Sequence, residues 1–224
     1  MLEYINSLDT QITLWFNGSD SFFVDTFAWY ATKTSTWIPL GVLLLFVLIR
    51  MKNWKNALLF ILSIGVAIAL ADQIASGIFK PLVARLRPSH NPDLEGIIDL
   101  VNGYRGGRYG FFSSHAANTC AIAVYLSLLY RNKFFTSVIC SWTLLNCWTR
   151  LYLGVHYVTD ILTGLICGAL IGYLVYRLYT IVLCKYNIGV VKELYSSQRA
   201  NLLSEGVLLT YTAIFIYAVC STII

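Results

Sequence analysis

The sequence predicts an all-α, polytopic membrane bundle of six transmembrane helices, preceded by an N-terminal helix that lies in the membrane interface. Two observations lead to this fold class. Of the 224 residues, 58% are hydrophobic and only 12% are charged, about half of the roughly 25% that is usual in soluble domains. The mean hydropathy is +0.67, and several apolar segments approach the roughly 20 residues that a helix needs to cross a bilayer.

Six apolar segments make up the predicted bundle. The first, 35–49, is short and becomes long enough to span only by including residues back towards Phe27. The other five spans are predicted at 54–79, 114–130, 134–153, 158–183 and 206–224. Residues 9–30 mix aromatic side chains with aspartates and a glycine, which is typical of an amphipathic helix in the interface. Because nothing resembles a linker or a repeat, residues 1–224 are predicted to form a single domain.

The distribution of charge predicts the orientation of the bundle. The turns at 50–55 and 131–133 and the segment 177–205 contain nine Lys or Arg and two Glu, a net charge of +7, whereas the rest of the chain has −2. Loops rich in Lys and Arg stay in the cytoplasm. Both termini and the 80–113 loop are therefore expected outside the plasma membrane, which in a bacterium means the periplasm. The protein is therefore expected to associate with the lipid bilayer, and it is not expected to bind nucleic acid.

Polar side chains cluster at the helix ends on that outer side. Lys80, Arg87 and Arg150 supply three positive charges, and guanidinium groups match phosphate oxygens in a bidentate manner. Ser113 and Ser114 stand where the third span begins, and the backbone N–H groups of a helix N-terminus also favour an anion. Charges at membrane depth are costly and usually functional. The set predicts a phosphate-binding pocket at the outer membrane surface.

Two histidines and an aspartate add reactive groups to this pocket. His156 and Asp160 are four residues apart, so on a helix they share a face, and the carboxylate can orient the imidazole as in a catalytic triad. His115, at the start of another span, is placed to protonate a leaving group and later to activate water. The plainer alternatives are a structural ion pair for His156 and a capping role for His115.

The sequence offers no set of metal ligands. Asp72 and Asp160 lie on different helices among cations, so no carboxylate cluster is expected to hold a divalent ion. The six cysteines fall inside apolar segments without the paired spacing of a zinc site or a disulfide framework. Neither a metal nor a cofactor is therefore predicted.

These residues together resemble the signature of the type 2 phosphatidic acid phosphatase (PAP2) superfamily, which reads KX6RP, PSGH and SRX5HX3D. The order of the motifs and their internal spacing agree over residues 80–160, the motif core of the predicted domain. The three motifs appear here as Lys80-X6-Arg87-Pro88, Phe112-Ser113-Ser114-His115 and Thr149-Arg150-X5-His156-X3-Asp160.

The resemblance implies a metal-independent reaction and a role for each residue. His156 would form a phosphohistidine, Asp160 would position it, and His115 would act first as acid and then as base. The phosphoryl oxygens would be held by Lys80, Arg87, Ser113, Arg150 and the backbone at Ser114.

Three positions depart from the signature. Phe112 replaces a proline, which removes a rigid start to the helix. Ser114 replaces a glycine and adds a Cβ beside the phosphate, and Thr149 replaces a serine but keeps the hydroxyl. None of these changes removes a catalytic atom, but together they bear on the choice of headgroup.

The favoured function is an integral-membrane phosphatase for lipid phosphates or pyrophosphates, with undecaprenyl pyrophosphate as the expected substrate. Lipid A, phosphatidylglycerophosphate and phosphatidic acid are the alternative substrates. A lipid-phosphate transporter or flippase would also bind phosphate, but it needs no nucleophile and more often has broken helices near the midplane. A vanadate-dependent haloperoxidase has a similar anion site, but those enzymes are soluble.

Some loop residues have two interpretations. Four side chains are candidates for contact with the lipid headgroup: Arg85, Tyr104, Arg105 and Arg108. The alternative for the three arginines is that they only coat a solvated loop. His90 is expected to be a loop residue without a catalytic role. The glycine-rich stretch before the third span, which includes Gly107 and Gly110, is predicted to be flexible enough to act as a lid.

Glycines repeat every four residues in the fifth span, at Gly164, Gly168 and Gly172. Such a stripe of small residues forms either a dimerisation face or a close contact between helices of one chain. The second interpretation is favoured, and a monomer is expected with it.

Overall fold

The computed structural model describes residues 2–49, 53–188 and 196–223, which form an all-α bundle. A turn of 3-10 helix, Thr34–Trp37, precedes the third helix, and a π-helical segment, Gln73–Phe79, joins the fourth to the fifth. The α-helices are α1 (Leu2–Phe16), α2 (Phe22–Thr32), α3 (Ile38–Ile49), α4 (Trp54–Asp72), α5 (Lys80–Val83), α6 (Ser114–Tyr130), α7 (Lys133–Tyr152), α8 (Val158–Lys185) and α9 (Ser197–Ile223).

Within the described ranges, three continuous helical stretches are long and apolar enough to cross a membrane: Trp54–Val83, Val158–Lys185 and Ser197–Ile223. A fourth candidate is α2 together with Thr34–Ile49, a pair bent by 68° at its break. α6 has only 17 residues, and α7 includes Lys133 and Arg150 among its 20. The structure thus supports three or four of the six predicted spans, and crossings by α6 and α7 stay a prediction.

α6 and α7 lie among other helices, where their buried hydroxyl groups find hydrogen-bond partners. α6 packs against α8, α7 and α4. The hydroxyl of Thr119 donates to the carbonyl of His115 at 2.8 Å, and that of Thr143 donates to the carbonyl of Thr119 at 3.2 Å. Buried hydroxyls are tolerated when they find such partners.

The glycine stripe of α8 faces α6. A Cβ atom at Gly168 would lie 2.3 Å from the carbonyl oxygen of Ala117, and one at Gly172 would lie 2.4 Å from that of Ala121. Any side chain at these positions would therefore push the two helices apart. Close packing within one chain, the favoured interpretation of the stripe, is confirmed, and it fixes the start of α8 against the start of α6.

The single interfacial helix predicted for residues 9–30 is wrong, because the chain forms two helices there. Gly18 has a φ of 64°, a left-handed conformation that glycine adopts without strain and that ends α1. Ser21 then caps α2, its hydroxyl accepting the backbone N–H of Val24 at 3.4 Å. α2 and the stretch Thr34–Ile49 form the bent pair described above. This agrees with the prediction that the short first span must include residues back towards Phe27.

The charged turns used to predict the orientation are only partly described. α9 begins at Ser197, nine residues earlier than the predicted 206, and so includes Arg199 and Glu205. By connectivity, the turn between α6 and α7 lies at the end of these helices away from the 84–113 loop. Four of the charges lie outside the described residues: Arg50, Lys52, Lys192 and Glu193.

Candidate active site

The predicted pocket residues lie where several helices begin or end. Lys80 starts α5, Ser114 and His115 start α6, Arg150 lies in the last turn of α7, and Asp160 lies in the first turn of α8. Contacts join these ends: the Nζ of Lys80 lies 2.6 Å from the Oγ of Ser114. The predicted convergence of the motifs is therefore present in the fold.

The 84–113 loop folds back on itself beside these helix ends. Leu86 and Tyr109 form an isolated antiparallel bridge. The backbone N–H of Gly110 donates to the carbonyl of Arg85 at 2.9 Å, and that of Arg87 donates to the carbonyl of Arg108 at 3.1 Å. The bridge holds the last part of the glycine-rich stretch against the residues around Arg87.

His156 and Asp160 form a buried pair. The imidazole is 1% exposed and the carboxylate is fully buried, and the Nδ1 of His156 lies 3.3 Å from the Oδ2 of Asp160. The same oxygen accepts the backbone N–H of Tyr157 at 3.0 Å. The contact forms differently from the prediction: His156 precedes α8, which begins at Val158, and Asp160 reaches back from the first turn as part of a capping box.

The other nitrogen of His156 faces a guanidinium group. The Nη1 of Arg87 lies 3.1 Å from the Nε2 of His156 and also donates to the carbonyl of Val155 at 3.1 Å. Burial, followed by the charge of Arg150, lowers the pKa of Arg87 to about 10, so the group remains a cation at neutral pH. Nε2 therefore accepts from Arg87, and Nδ1 carries the proton that points to Asp160, a tautomer inferred from this hydrogen-bond pattern.

The surroundings of His156 favour a neutral ring. Burial, and then the positive charges of Arg87, Arg150 and Lys80, hold the pKa of His156 well below its ordinary value of 6.5. A neutral imidazole has a free electron pair on one nitrogen, and it is a nucleophile only in that form. The pair on Nε2 is directed at the cationic side of the pocket.

Lys80 and the start of α6 form one wall of this cationic side. The Nζ of Lys80 is held by the hydroxyls of Ser114 at 2.6 Å and Ser76 at 3.0 Å. Ser113 caps α6, and its Oγ accepts the backbone N–H of Ala116 at 3.4 Å. The first N–H groups of a helix have no partner within the helix, so this wall offers an anion backbone donors as well as an ammonium group.

Arg150 forms a second, deeper wall. Its side chain is 2% exposed, with one terminal nitrogen donating to the hydroxyl of Thr32 at 2.6 Å and the other to that of Tyr104 at 3.3 Å. The Nε has no hydrogen-bond partner among the residues that the structure describes. A buried, unpaired donor on a cation is costly, and the oxygen of a bound phosphoryl group would satisfy it.

His115 lies within electrostatic range of both walls and of the buried pair, since Arg150, His156, Arg87 and Lys80 all act on its charge. Its side chain is only partly buried. The predicted acid therefore lies in the same pocket region as the predicted nucleophile, and it is more accessible than His156.

Residues 56–182, which contain every predicted residue of this pocket, match the family model described as the PAP2 superfamily. The chain belongs to the PAP2 superfamily. Two lipid A 4'-phosphatases are similar to it. The one from Porphyromonas gingivalis is 38% identical over 178 residues, covering 80% of this chain and 75% of that protein. The one from Bacteroides thetaiotaomicron is 40% identical over 178 residues, covering 79% of each.

Two further matches extend the comparison. A decaprenylphosphoryl-5-phosphoribose phosphatase from Mycolicibacterium smegmatis is 38% identical over 103 residues, which cover 46% of this chain and 51% of that protein. The crystal structure of a PAP2 type phosphatidylglycerolphosphate phosphatase from Bacillus subtilis has a TM-score of 0.56 at 20% identity, covering 81% of this chain and 87% of that one. This similarity concerns the fold alone.

The PAP2 protein described here is a multi-pass membrane lipid phosphatase. The relatives reported above are phosphatases, which favours an enzyme over the transporter that the sequence left as an alternative. The two relatives that match most of the chain are named for lipid A, which was predicted from the sequence as an alternative substrate to the expected undecaprenyl pyrophosphate.

The PAP2 signature did not indicate two residues that hold the buried pair. Arg85, expected either at the headgroup or on a solvated loop, instead donates to the Oδ1 of Asp160 at 3.0 Å and to Asp9 at 2.7 Å. Asp9 is itself 4% exposed. No sequence pattern marks Asp9, because its burial follows from contacts with Arg85 and Thr159, which lie far along the chain.

Proposed function

We propose that the chain removes the 4'-phosphate of lipid A through a phosphohistidine on His156, without a metal ion. The proposed reaction rests mainly on the buried imidazole of His156, which has Asp160 at one nitrogen and the cationic side of the pocket at the other. The substrate rests on the 38–40% identity with two lipid A 4'-phosphatases over about four fifths of the chain.

The first step forms a bond between the Nε2 of His156 and phosphorus. The phosphoryl oxygens bind the side chains of Lys80, Arg87 and Arg150, the hydroxyl of Ser113 and the backbone at Ser114. Arg87 passes from the imidazole to a phosphoryl oxygen, a stronger hydrogen-bond acceptor because it is charged. As the bond between phosphorus and the sugar oxygen breaks, His115 donates a proton to that oxygen, and the dephosphorylated lipid leaves.

The second step releases inorganic phosphate. His115, now neutral, takes a proton from a water molecule whose oxygen attacks phosphorus. The bond between phosphorus and Nε2 breaks, and its electron pair returns to the imidazole. Throughout both steps the carboxylate of Asp160 accepts a hydrogen bond from the N–H at Nδ1 and stabilises the positive charge that the ring acquires.

The reaction is tested with lipid A carrying ³²P at the 4' position, in detergent micelles with EDTA. Wild-type protein is expected to release phosphate and to carry an acid-labile label. His156→Ala should lose both, and His115→Ala should retain the label because its hydrolysis is slow. The third histidine supplies the control, since His90→Ala should behave as wild type. Wild-type turnover by His156→Ala would disprove the nucleophile, and loss of activity with EDTA would disprove the metal-free reaction.

Position-specific labelling separates lipid A from the other candidates. A panel of lipid A labelled at the 1 or the 4' position, undecaprenyl pyrophosphate and phosphatidylglycerophosphate is expected to show the highest kcat/KM for the 4'-phosphate. A higher kcat/KM for undecaprenyl pyrophosphate would contradict this proposal and support undecaprenyl pyrophosphate, the substrate expected from the sequence.

In the membrane, the proposed arrangement has six spans within a single domain, 1–224, and a pocket facing outward in a monomer. α6 is 17 residues long, so at 1.5 Å per residue it covers about 26 Å, close to the hydrocarbon thickness of about 30 Å. Asp93→Cys, at an exposed position of the long loop in a background without other cysteines, should react with an impermeant maleimide in spheroplasts. Protection there, with labelling only after lysis, would reverse the orientation.

A further inference from the structure

The two oxygens of Asp160 have different partners. Oδ2 faces the imidazole of His156 and the backbone N–H of Tyr157, whereas Oδ1 accepts from the Nη1 of Arg85 at 3.0 Å. Because the carboxylate is fully buried, its charge has no water to stabilise it. Arg85 is the only cation that forms an ion pair with it among the described residues.

Arg85 is itself fixed from three directions. Its Nη2 donates to the Oδ2 of Asp9 at 2.7 Å, and its Nη1 donates to the hydroxyl of Thr159 at 2.7 Å. The guanidinium carbon lies 4.0 Å from the centre of the Tyr157 ring, a stacking contact that suits the flat, delocalised cation. These contacts leave the group little freedom to turn away from Asp160.

Asp9 connects α1 to the first turn of α8. Its side chain is 2% exposed, its Oδ1 accepts the backbone N–H of Thr159 at 3.0 Å, and its Oδ2 accepts the hydroxyl of the same residue. One carboxylate from the N-terminal helix therefore holds both Arg85 and the residue next to Asp160. Ion pairs between solvent-exposed side chains contribute little to stability. The ion pairs of Arg85 with Asp9 and Asp160 differ from these because both carboxylates are removed from water.

We infer that Asp9 and Arg85 are positioning residues for catalysis, and that α1 completes the active site by fixing the carboxylate that orients His156. This inference rests on the proposed function, because it takes His156 as the nucleophile. Neither residue touches the cationic walls that bind the phosphoryl group. They act on the rate of phosphoryl transfer and leave substrate binding nearly unchanged.

Two conservative variants separate the role of each group. Asp9→Asn keeps the shape of the side chain and one acceptor for Thr159, but it places an amide in reach of Arg85 without a negative charge. Arg85→Lys keeps the positive charge, but a single ammonium group cannot form the fork that binds two carboxylates. Asp20→Asn is the matched control, since it makes the same change of charge at an exposed position after α1.

The expected result is a fall in kcat of about 10–100-fold for Asp9→Asn and for Arg85→Lys, the range found when groups that orient catalytic ligands are removed. The KM should change by no more than about threefold, because the phosphate ligands are untouched. Asp20→Asn should match wild type. The double variant should lose less than the product of the single losses, because both residues act through one carboxylate.

A pre-steady-state measurement distinguishes positioning from a purely structural role. With ³²P-labelled lipid A and rapid quenching, positioning lowers the rate constant of label formation while the amount of label per folded protein is retained. A structural role lowers the amount of label and leaves the rate constant unchanged, which would overturn the inference. Failure of the wild-type protein to form the label defeats the proposed function itself, whereas a labelled wild type with an equally fast Asp9→Asn defeats the positioning role alone.

Discussion

Gly110 lies so close to the buried pair of His156 and Asp160 that a residue with a side chain would not fit at this position without a displacement. A methyl group added there would lie 2.9 Å from the Oδ2 of Asp160 and 3.2 Å from the Cγ of Arg87, whereas weak carbon–oxygen contacts are usually 3.3–3.6 Å. In Gly110→Ala the carboxylate must therefore retreat by about 0.4 Å. The distance from Asp160 to His156 is already 3.3 Å, at the long end for a hydrogen bond, so we expect the displacement to weaken this contact and to turn the carboxylate out of line with the imidazole.

The size of the effect follows from this displacement. A misplacement of 1 Å in an active site costs about 100-fold in rate, so a shift of less than half that is expected to cost about tenfold, or about 1.4 kcal/mol of transition-state stabilisation. The rate of phosphoryl-enzyme formation with labelled lipid A measures it, and the melting temperature in detergent shows whether the fold is intact.

Gly107 supplies the control in the same loop, since a Cβ atom there meets nothing within 4 Å. Gly107→Ala should be as active as wild type. A Gly110→Ala enzyme with the wild-type rate would contradict this prediction. An equal loss in both variants would also contradict it, because it would mean that the loop needs flexibility and not space beside Asp160.

Three further predictions concern stability. Gly168→Ala should lower the melting temperature, with overpacking against the α6 backbone costing about 1–3 kcal/mol; Gly65→Ala, which meets nothing within 4 Å, should not. Thr32→Val removes the acceptor 2.6 Å from Arg150, and the unpaired buried donor should cost about 1–3 kcal/mol, again seen in the melting temperature. Since the pKa of His156 is lowered in the folded protein, the unfolded chain binds the extra proton, so stability should fall as the pH drops below about 6.5. If the stability of the wild type fell with decreasing pH no more steeply than that of His156→Gln, this prediction would be wrong.

The site could be predicted from the sequence where contacts are local or lie at helix ends. The spacing of His156 and Asp160 indicated their contact, although the helix begins after the histidine. The third to fifth predicted spans, 114–130, 134–153 and 158–183, lie within two residues of α6, α7 and α8 at each end. Helix boundaries of this kind follow from apolar runs and from caps, and both are visible in a short window of sequence.

What could not be predicted depends on residues far apart in the chain. The pairing of Asp9 with Arg85 spans 76 positions, and no periodicity relates the two residues. The break at Gly18 was also missed, because the same glycine is compatible with a continuous helix until the tertiary contacts of the turn are known. Its N–H donates to the carbonyl of Tyr152 at 3.0 Å, so α7 helps to fix where α1 ends.

The contact between Arg87 and the Nε2 of His156 bears on which phosphates can react. In the structure the electron pair of the proposed nucleophile is engaged by the guanidinium group, so under the proposed reaction a substrate must first draw Arg87 away. A phosphate monoester with two negative charges competes for a cation more strongly than a diester with one. Ordinary membrane phospholipids that carry their phosphate as a diester would leave the nucleophile covered. An enzyme surrounded by such lipids is thereby protected from reacting with them, since only a terminal phosphate uncovers the attacking atom.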